Sequence, residues 1–402
     1  MILFSIYALF FTLPKITLSI LQLNFLQSKQ HQQPYILDSQ SFKKAAQYSI
    51  IKEKISLISS IFDLIIFGCW IFFGLAFLES LLPFNALIQS VIFLLIFLIL
   101  QSLLSLPFEA YQKLIVDKTF GFCKGEIKLF INDTLKSLLL LILIGGIFLS
   151  ISSWIILNIP LWEIYIFIIV AIFIIGANLF YPTFIAPLFN KFTPLDNPNL
   201  QLAIQNLLHQ VGFQSNGVFV MDASKRDGRL NAYFGGLGNT KRVILFDTLL
   251  EKIPQNSLLA VLGHELGHFK HFDVYKMMIL ILSFFALLLF IIANLPQTLF
   301  LEANILPSPH SLIAFLILLS SPIGFYFTPI ISYFSCKNEF NADKFGASLT
   351  SNEDLAQALL VLVKENNAFP LSHPLYIKFY YTHPPLMQRL KALHCEHLAL
   401  TS

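Results

Sequence analysis

Seven apolar stretches, each close to the roughly 20 residues that cross a bilayer core, set the pattern of this 402-residue chain. They fall at about 1–27, 56–82, 85–107, 136–159, 162–185, 275–297 and 309–334. The first is the weakest, because Pro14-Lys15 is expected to interrupt it. Lys15 is read either as snorkelling to a headgroup or as facing a wet cavity, and Asp63 in the second stretch as a polar neighbour within the bundle or the lining of a water-filled space.

Between the fifth and sixth stretches the pattern turns polar, and 191–272 reads as a small α+β unit. Asn199–Gln210 has helical periodicity, while Gly217–Met221, Leu230–Gly235 and Arg242–Phe246 are β-branched or aromatic runs punctuated by Asp-Gly and Gly-Asn. A helix over Val261–His271 follows, with Asn256 or Ser257 as its expected cap. Beyond the last stretch, 336–365 is expected to be helical, 366–385 an aromatic, Pro-rich loop, and Pro385–Leu400 a final helix.

Composition agrees with the pattern. The chain is 56% hydrophobic and only 12% charged, against roughly 25% charged in soluble proteins, so it is a membrane protein. A net charge of +3 without a basic, aromatic-interleaved patch excludes nucleic acid as a partner. The four cysteines are scattered and form no CxxC, which points to no disulfide framework and a reducing compartment. No basic segment precedes the first apolar stretch, so no cleaved signal peptide is expected, and Leu400-Thr401-Ser402 carries no lipidation or retention signal.

Seven spans put 24–55, 108–135, 186–274 and 335–402 on one side and the short connections on the other. All 26 Lys and Arg except Lys15 lie on the first side or at its boundary. By the positive-inside rule that side is cytoplasmic, with the amino terminus outside. The domain reading follows: 1–190 holds five membrane helices, 191–272 and 336–402 the two catalytic parts, and 273–335 the last two spans.

The polar unit carries the chemistry. In His264-Glu265-Leu266-Gly267-His268 the histidines sit four apart on one helix face. That spacing fills two corners of a zinc tetrahedron, and Glu265 can reach a polarised water without being a ligand. A third ligand is required, and Glu339-Phe340-Asn341-Ala342-Asp343 offers two carboxylates on one helix face. Glu339 could complete the coordination, while Asp343 could support a histidine or donate a proton. His383, held between Thr382 and Pro384-Pro385, could hydrogen-bond a developing oxyanion, and Arg389 could pin Asp343. Asn231-Ala232-Tyr233-Phe234-Gly235 reads as a strand whose free edge could bind an extended peptide. His394-Cys395-Glu396-His397 has no partner motif, and His271 and Asp273 are expected at a solvated helix end. The rival reading is a polytopic transporter or binding protein whose zinc is structural, with Lys15 and Asp63 marking a path.

These residues resemble the type I CAAX prenyl protease family of integral-membrane zinc metallopeptidases. The likeness rests on six elements in the family's order: His264–His268, Glu339–Asp343, Asn231–Gly235, Lys241–Leu250, Tyr181–Leu195 and His383-Pro384-Pro385. It implies a mostly α, polytopic protein whose seven helices form a barrel around a water-filled chamber, closed on the cytoplasmic side by a small zincin-like α+β domain. It implies one zinc ion per chain on His264, His268 and Glu339, with Glu265 as base, Asp343 and His383 as further catalytic residues, and Asn231, Tyr233, Gly235 and Arg389 on the substrate side. Gln388 and Thr382 depart from the family's usual residues. Expected partners are a peptide or protein substrate, with or without a lipid, and membrane lipid. Processing of prenylated carboxy termini follows for a eukaryotic chain in the endoplasmic reticulum. The short outer loops lean instead toward a bacterial inner-membrane relative engaged in membrane protein quality control.

Overall fold

The structure is a computed structural model that describes residues 1–236 and 241–399. Gly238-Asn239 and Leu400-Thr401-Ser402, singled out above, lie outside the described residues. Among those described, seven helices are long and apolar enough to cross a membrane: Ile2–Lys29 (α1), Ser39–Ser80 (α2), Ala86–Asp117 (α3), Ile127–Asn158 (α4), Trp162–Phe189 (α5), Asp273–Ala293 and Pro309–Leu349. The protein is a multi-pass integral membrane protein.

Each span packs on the next, and the seventh returns to the first, so the helices close into a ring. Phe93, Phe97, Ile71 and Phe315 are buried where the helices meet. Ile147, Ile172, Phe173, Ile279 and Phe290 are large apolar side chains left exposed on the spans, which suits contact with lipid. Within the ring, Tyr7, Phe11, Asp63, Gln101 and Glu109 line a cavity of about 360 Å³.

Pro14 does not interrupt the first span. A wide π-helical turn, Ala8–Thr12, precedes it. The Phe10 carbonyl, four residues before the proline and so deprived of its usual donor, accepts a hydrogen bond from the Tyr326 hydroxyl of the seventh span. Lys15 meets Asp63 at 3.5 Å, and both line the 360 Å³ cavity. The two charges therefore satisfy each other.

Between the fifth and sixth spans the chain builds a four-stranded sheet. Its strands are Phe192–Pro194 (β1), Val218–Met221 (β2), Ala232–Gly235 (β3) and Arg242–Phe246 (β4), in the order β1-β2-β4-β3. β1 was not foreseen; at three residues it is too short to carry an alternation. β2 and β4 are parallel, and β3 pairs antiparallel with β4, Ala232 opposite Leu245 and Gly235 opposite Arg242. That leaves β3 with one free edge. Pro198–Val211 (α6), Asp247–Lys252 (α7) and Gln255–Lys270 (α8) follow the chain around this sheet. Ile204, Val243, Leu245, Leu249, Leu262 and Leu266 make their common core. The sixth span is α9, Gln297–Glu302 is α10 and the seventh span is α11. Asn352–Glu365 (α12), Pro374–Tyr380 (α13) and Leu386–Ala392 (α14) complete the chain.

Four details differ from expectation. α8 starts at Gln255 with Pro254 in the cap position, so neither Asn256 nor Ser257 caps it. The helix expected over 336–365 is two: α11 runs unbroken from the membrane to Leu349, and α12 starts after Ser351, whose hydroxyl accepts from the Asp354 amide. The loop 366–385 contains α13. The last helix stops at Ala392, because His394 adopts a left-handed conformation with φ of 58°.

α8 and α11 cross backbone on backbone. A Cβ built on Gly267 would lie 2.8 Å from Cα of Ala342, and one on Gly346 would lie 2.6 Å from the His264 nitrogen. Glycine is therefore required at both, and at Gly267 this explains the residue inside the His264–His268 motif. The crossing sets the separation of the two helices that carry the site.

Candidate metal centre

The crossing brings His264, His268 and Glu339 together, and their ligand atoms lie within 4.8 Å of one another. The two imidazole Nε2 atoms are 3.2 Å apart. Glu339 Oε2 is 3.5 Å from His264 Nε2, and Oε1 is 3.2 Å from His268 Nε2. Ligands bound at 2.0–2.1 Å to a tetrahedral zinc stand roughly 3.3 Å apart, so these spacings suit a cation of that size at the centre. Glu339 Oε2 is a buried carboxylate oxygen with no hydrogen bond among the described residues. A cation would satisfy it. Desolvation lowers the His268 pKa, but the Glu339 and Asp273 carboxylates outweigh it and hold the imidazole up at about 9.

Each histidine is steered from its other nitrogen by a carboxylate, which leaves Nε2 aimed at the centre. His264 Nδ1 lies 2.8 Å from Asp343 Oδ1. Asp343 is in turn gripped by Arg389, with Nε 2.7 Å from Oδ2 and Nη2 2.5 Å from Oδ1. Arg389 is only 8% exposed and its Nη1 also lies 3.4 Å from Glu339, so it faces the ligands. His268 Nδ1 lies 3.0 Å from Asp273 Oδ2. Asp273 is not a solvated end, as expected above: it is 4% exposed, sits in the first turn of α9 and also accepts from Lys276. The missed signal was the turn after Lys270, where Phe272 takes a left-handed φ of 57° and redirects the chain. His271, by contrast, stays outside the group.

Glu265 projects into a cavity of about 470 Å³ shared with His268, Tyr233, Phe234 and Gly235. Burial pushes its carboxyl pKa up; the two histidines oppose this and Glu339 reinforces it. Tyr181 and Pro182 of α5, with Phe272 and Tyr275 beside α9, make the far wall aromatic. Gly235 is needed because a Cβ there would meet the Pro182 ring at 2.7 Å. Asn231 does not line this cavity; its side-chain oxygen accepts from the Ala232 amide.

On the other side of the ligands, His383 and Arg389 line a second cavity of about 460 Å³. The His383 side chain is 65% exposed and its Nε2 stands 3.4 Å from Glu339 Oε1. It lies outside the three-residue group. Desolvation beside the ligand cluster, reinforced by Arg389 and the two histidines and opposed by Glu339, lowers its pKa, and Nδ1 meets the Thr382 hydroxyl at 3.0 Å. Among the described residues, His394, Cys395, Glu396 and His397 do not form a metal-sized group.

Two histidines and a carboxylate at zinc-like spacing, a buried glutamate beside them and a strand edge along the cavity define a membrane-embedded metallopeptidase. Comparison with known proteins agrees: residues 194–397 match the model of peptidase family M48, and residues 22–191 match CAAX prenyl protease N-terminal, five membrane helices. The chain belongs to the M48 family and is a metallopeptidase. It is 32% identical over 397 residues to CAAX prenyl protease 1 of Saccharomyces cerevisiae, covering 89% of this chain and 86% of that one. To the Homo sapiens CAAX prenyl protease 1 homolog it is 30% identical over 420 residues, 89% and 87% covered. The crystal structure of S. mikatae Ste24p superposes with a TM-score of 0.86 at 30% identity, over 97% of each chain.

Proposed function

We propose that the chain is a zinc metalloendopeptidase in which His264, His268 and Glu339 hold one zinc ion and Glu265 is the general base. The observation that carries this is the convergence of the donor atoms: the two Nε2 atoms lie 3.2 Å apart and each lies 3.2 to 3.5 Å from an oxygen of the Glu339 carboxylate. Bound zinc supplies Lewis acidity, polarising the scissile carbonyl and acidifying water. A peptide pairs along the free edge of β3 between Tyr233 and Gly235. Glu265 takes the proton from the attacking water and returns it to the leaving amide nitrogen. His383 donates a hydrogen bond to the carbonyl oxygen as it gains charge. Asp343, held by Arg389, and Asp273 keep the two imidazoles oriented.

The substrate is a prenylated protein, a reading supported by the CAAX prenyl proteases named above and by the aromatic wall of the 470 Å³ cavity. The cavity reaches α5 and α9, where Phe180, Phe184 and Phe272 are exposed, so a lipid chain can stay in the apolar phase while its peptide enters. The lysine and arginine distribution supports a cytoplasmic position for this site. The catalytic unit comprises 191–272 and 336–402. Glu265→Gln tests the assignment: it should retain one zinc per chain and lose cleavage by a factor of about 10² to 10⁴. Wild-type cleavage by that variant would remove Glu265 from the chemistry.

A further inference from the structure

Successive residues of a strand turn their backbone groups to opposite sides. The Phe246 amide donates to the Asn231 carbonyl at 3.1 Å, in the register that sets Ala232 opposite Leu245 and Tyr233 opposite Ile244. Asn231, Tyr233 and Gly235 therefore turn toward β4. Leu230, Ala232 and Phe234 turn toward the edge where, among the described residues, the sheet ends.

That edge is not open along its whole length. The Leu230 amide donates to Asn366 Oδ1 at 2.8 Å, and Asn366 Nδ2 donates back to the Leu230 carbonyl at 3.3 Å. One side-chain amide thus satisfies both backbone groups of one residue, as a directly opposed residue of a neighbouring strand would. The next amide on the edge, that of Ala232, is taken by Asn231 Oδ1 at 2.8 Å. Among the described residues, the Ala232 carbonyl and both groups of Phe234 are left for an added strand.

Asn366 is fixed from behind. It follows the last residue of α12, its own amide donates to the Leu362 carbonyl at 3.0 Å, and Asn367 then turns the chain with a left-handed φ of 45°. Phe234 lines the 470 Å³ cavity with Glu265 and His268, whereas Asn366 lines the second cavity with His383 and Arg389. The open part of the edge belongs to the cavity of the general base.

We propose that Asn366 is a positioning residue that stops the substrate strand: its amide holds the ladder place at Leu230, so an added peptide registers only on Phe234 and presents one bond to the metal centre. This rests on the strand pairing of the peptidase reading above and adds the residue that fixes its register. One edge of a ladder repeats every two residues. With Leu230 unblocked, the peptide gains a second register displaced by two residues, with the same set of side chains on each face.

The test weighs by mass spectrometry the products cut from one prenylated peptide in phosphatidylcholine vesicles. In wild type the displaced register must break two hydrogen bonds, each worth roughly fivefold, so the displaced product should stay at or below roughly 4% of the main one. Asn366→Ala should raise it roughly 25-fold, to a share comparable with the main product. Asn366→Asp keeps the acceptor for the Leu230 amide, loses the donor, and should fall between. Asn367→Gly keeps the left-handed turn, removes a side chain that reaches the Phe120 carbonyl rather than the strand, and should keep the single cut. A second readout needs no cleavage. In zinc-loaded Glu265→Gln the peptide should slow hydrogen exchange at the Phe234 amide and leave Leu230 unchanged; adding Asn366→Ala should bring Leu230 under its protection. An unchanged single cut in both Asn366 variants, a displacement of one residue, or an equal second product from Asn367→Gly overturns the proposal and leaves the peptidase reading intact. No cleavage by wild type defeats the peptidase reading instead.

Discussion

Replacing Gly346 by alanine adds one methyl group at the crossing of α8 and α11, about two turns past Glu339 on α11 and directly against His264 on α8. That methyl carbon would stand 2.6 Å from the His264 nitrogen and 2.9 Å from its Cα. Both are backbone atoms with no rotamer to relieve them. Restoring ordinary contact near 3.4 Å requires the helices to part by roughly 0.8 Å, and overpacking of this kind costs about 1–3 kcal/mol. The larger consequence is chemical. Glu339 rides on α11 and both histidines on α8, so their 3.2 Å and 3.5 Å separations widen together. Metal sites tolerate about 0.2 Å. Zinc affinity should therefore fall by at least the 10- to 100-fold that follows loss of a supporting partner. The assay is zinc content after equilibration with a competing chelator, alongside the thermal unfolding midpoint. Gly324→Ala is the control on the same helix, where the new methyl would meet only the Phe284 ring at 3.5 Å. It should be neutral or stabilising by up to about 1 kcal/mol. Wild-type zinc affinity in Gly346→Ala would refute the argument that backbone contact sets the ligand spacing.

Two further substitutions probe the centre. Glu339→Ala should lose stoichiometric zinc by elemental analysis; an unchanged zinc content would take Glu339 out of the coordination. Asp273→Asn should weaken zinc by about 10- to 100-fold while leaving the unfolding midpoint close to wild type, and undiminished affinity would return Asp273 to the role of a simple helix-start acid.

Much of the architecture could be read in advance because a bilayer imposes a length. Twenty apolar residues have few alternatives to a spanning helix, and all seven spans stand near their expected positions. Their ends were harder to place. Hydropathy falls off at Lys337, Glu339 and Asp343, yet nothing there breaks a helix, so α11 continues past the apolar stretch and delivers Glu339 on a rigid extension of the seventh span. Pro14 looked like a break because the sequence does not reveal that Tyr326, more than 300 residues away, serves the carbonyl the proline leaves without a donor. The metal-sized group of His264, His268 and Glu339 could be assembled in advance because the first two are local and a metal site would need a third donor from elsewhere in the chain. Asp273 was not, since an aspartate just past a helix reads as solvated until the Phe272 turn folds it under His268. Arg389 was paired with Asp343 from charge alone, but its burial against Glu339 as well depends on the loop from Tyr381 to Pro385, which no local pattern specifies.

X-ray absorption at the zinc edge of the purified, zinc-loaded protein tests the central claim most directly, because it counts ligands. The account predicts two imidazole nitrogens, one carboxylate and one solvent oxygen, at about 2.0–2.2 Å. A fourth protein ligand, whether the His383 imidazole or a cysteine sulfur, would close the position that the attacking water needs and contradict it.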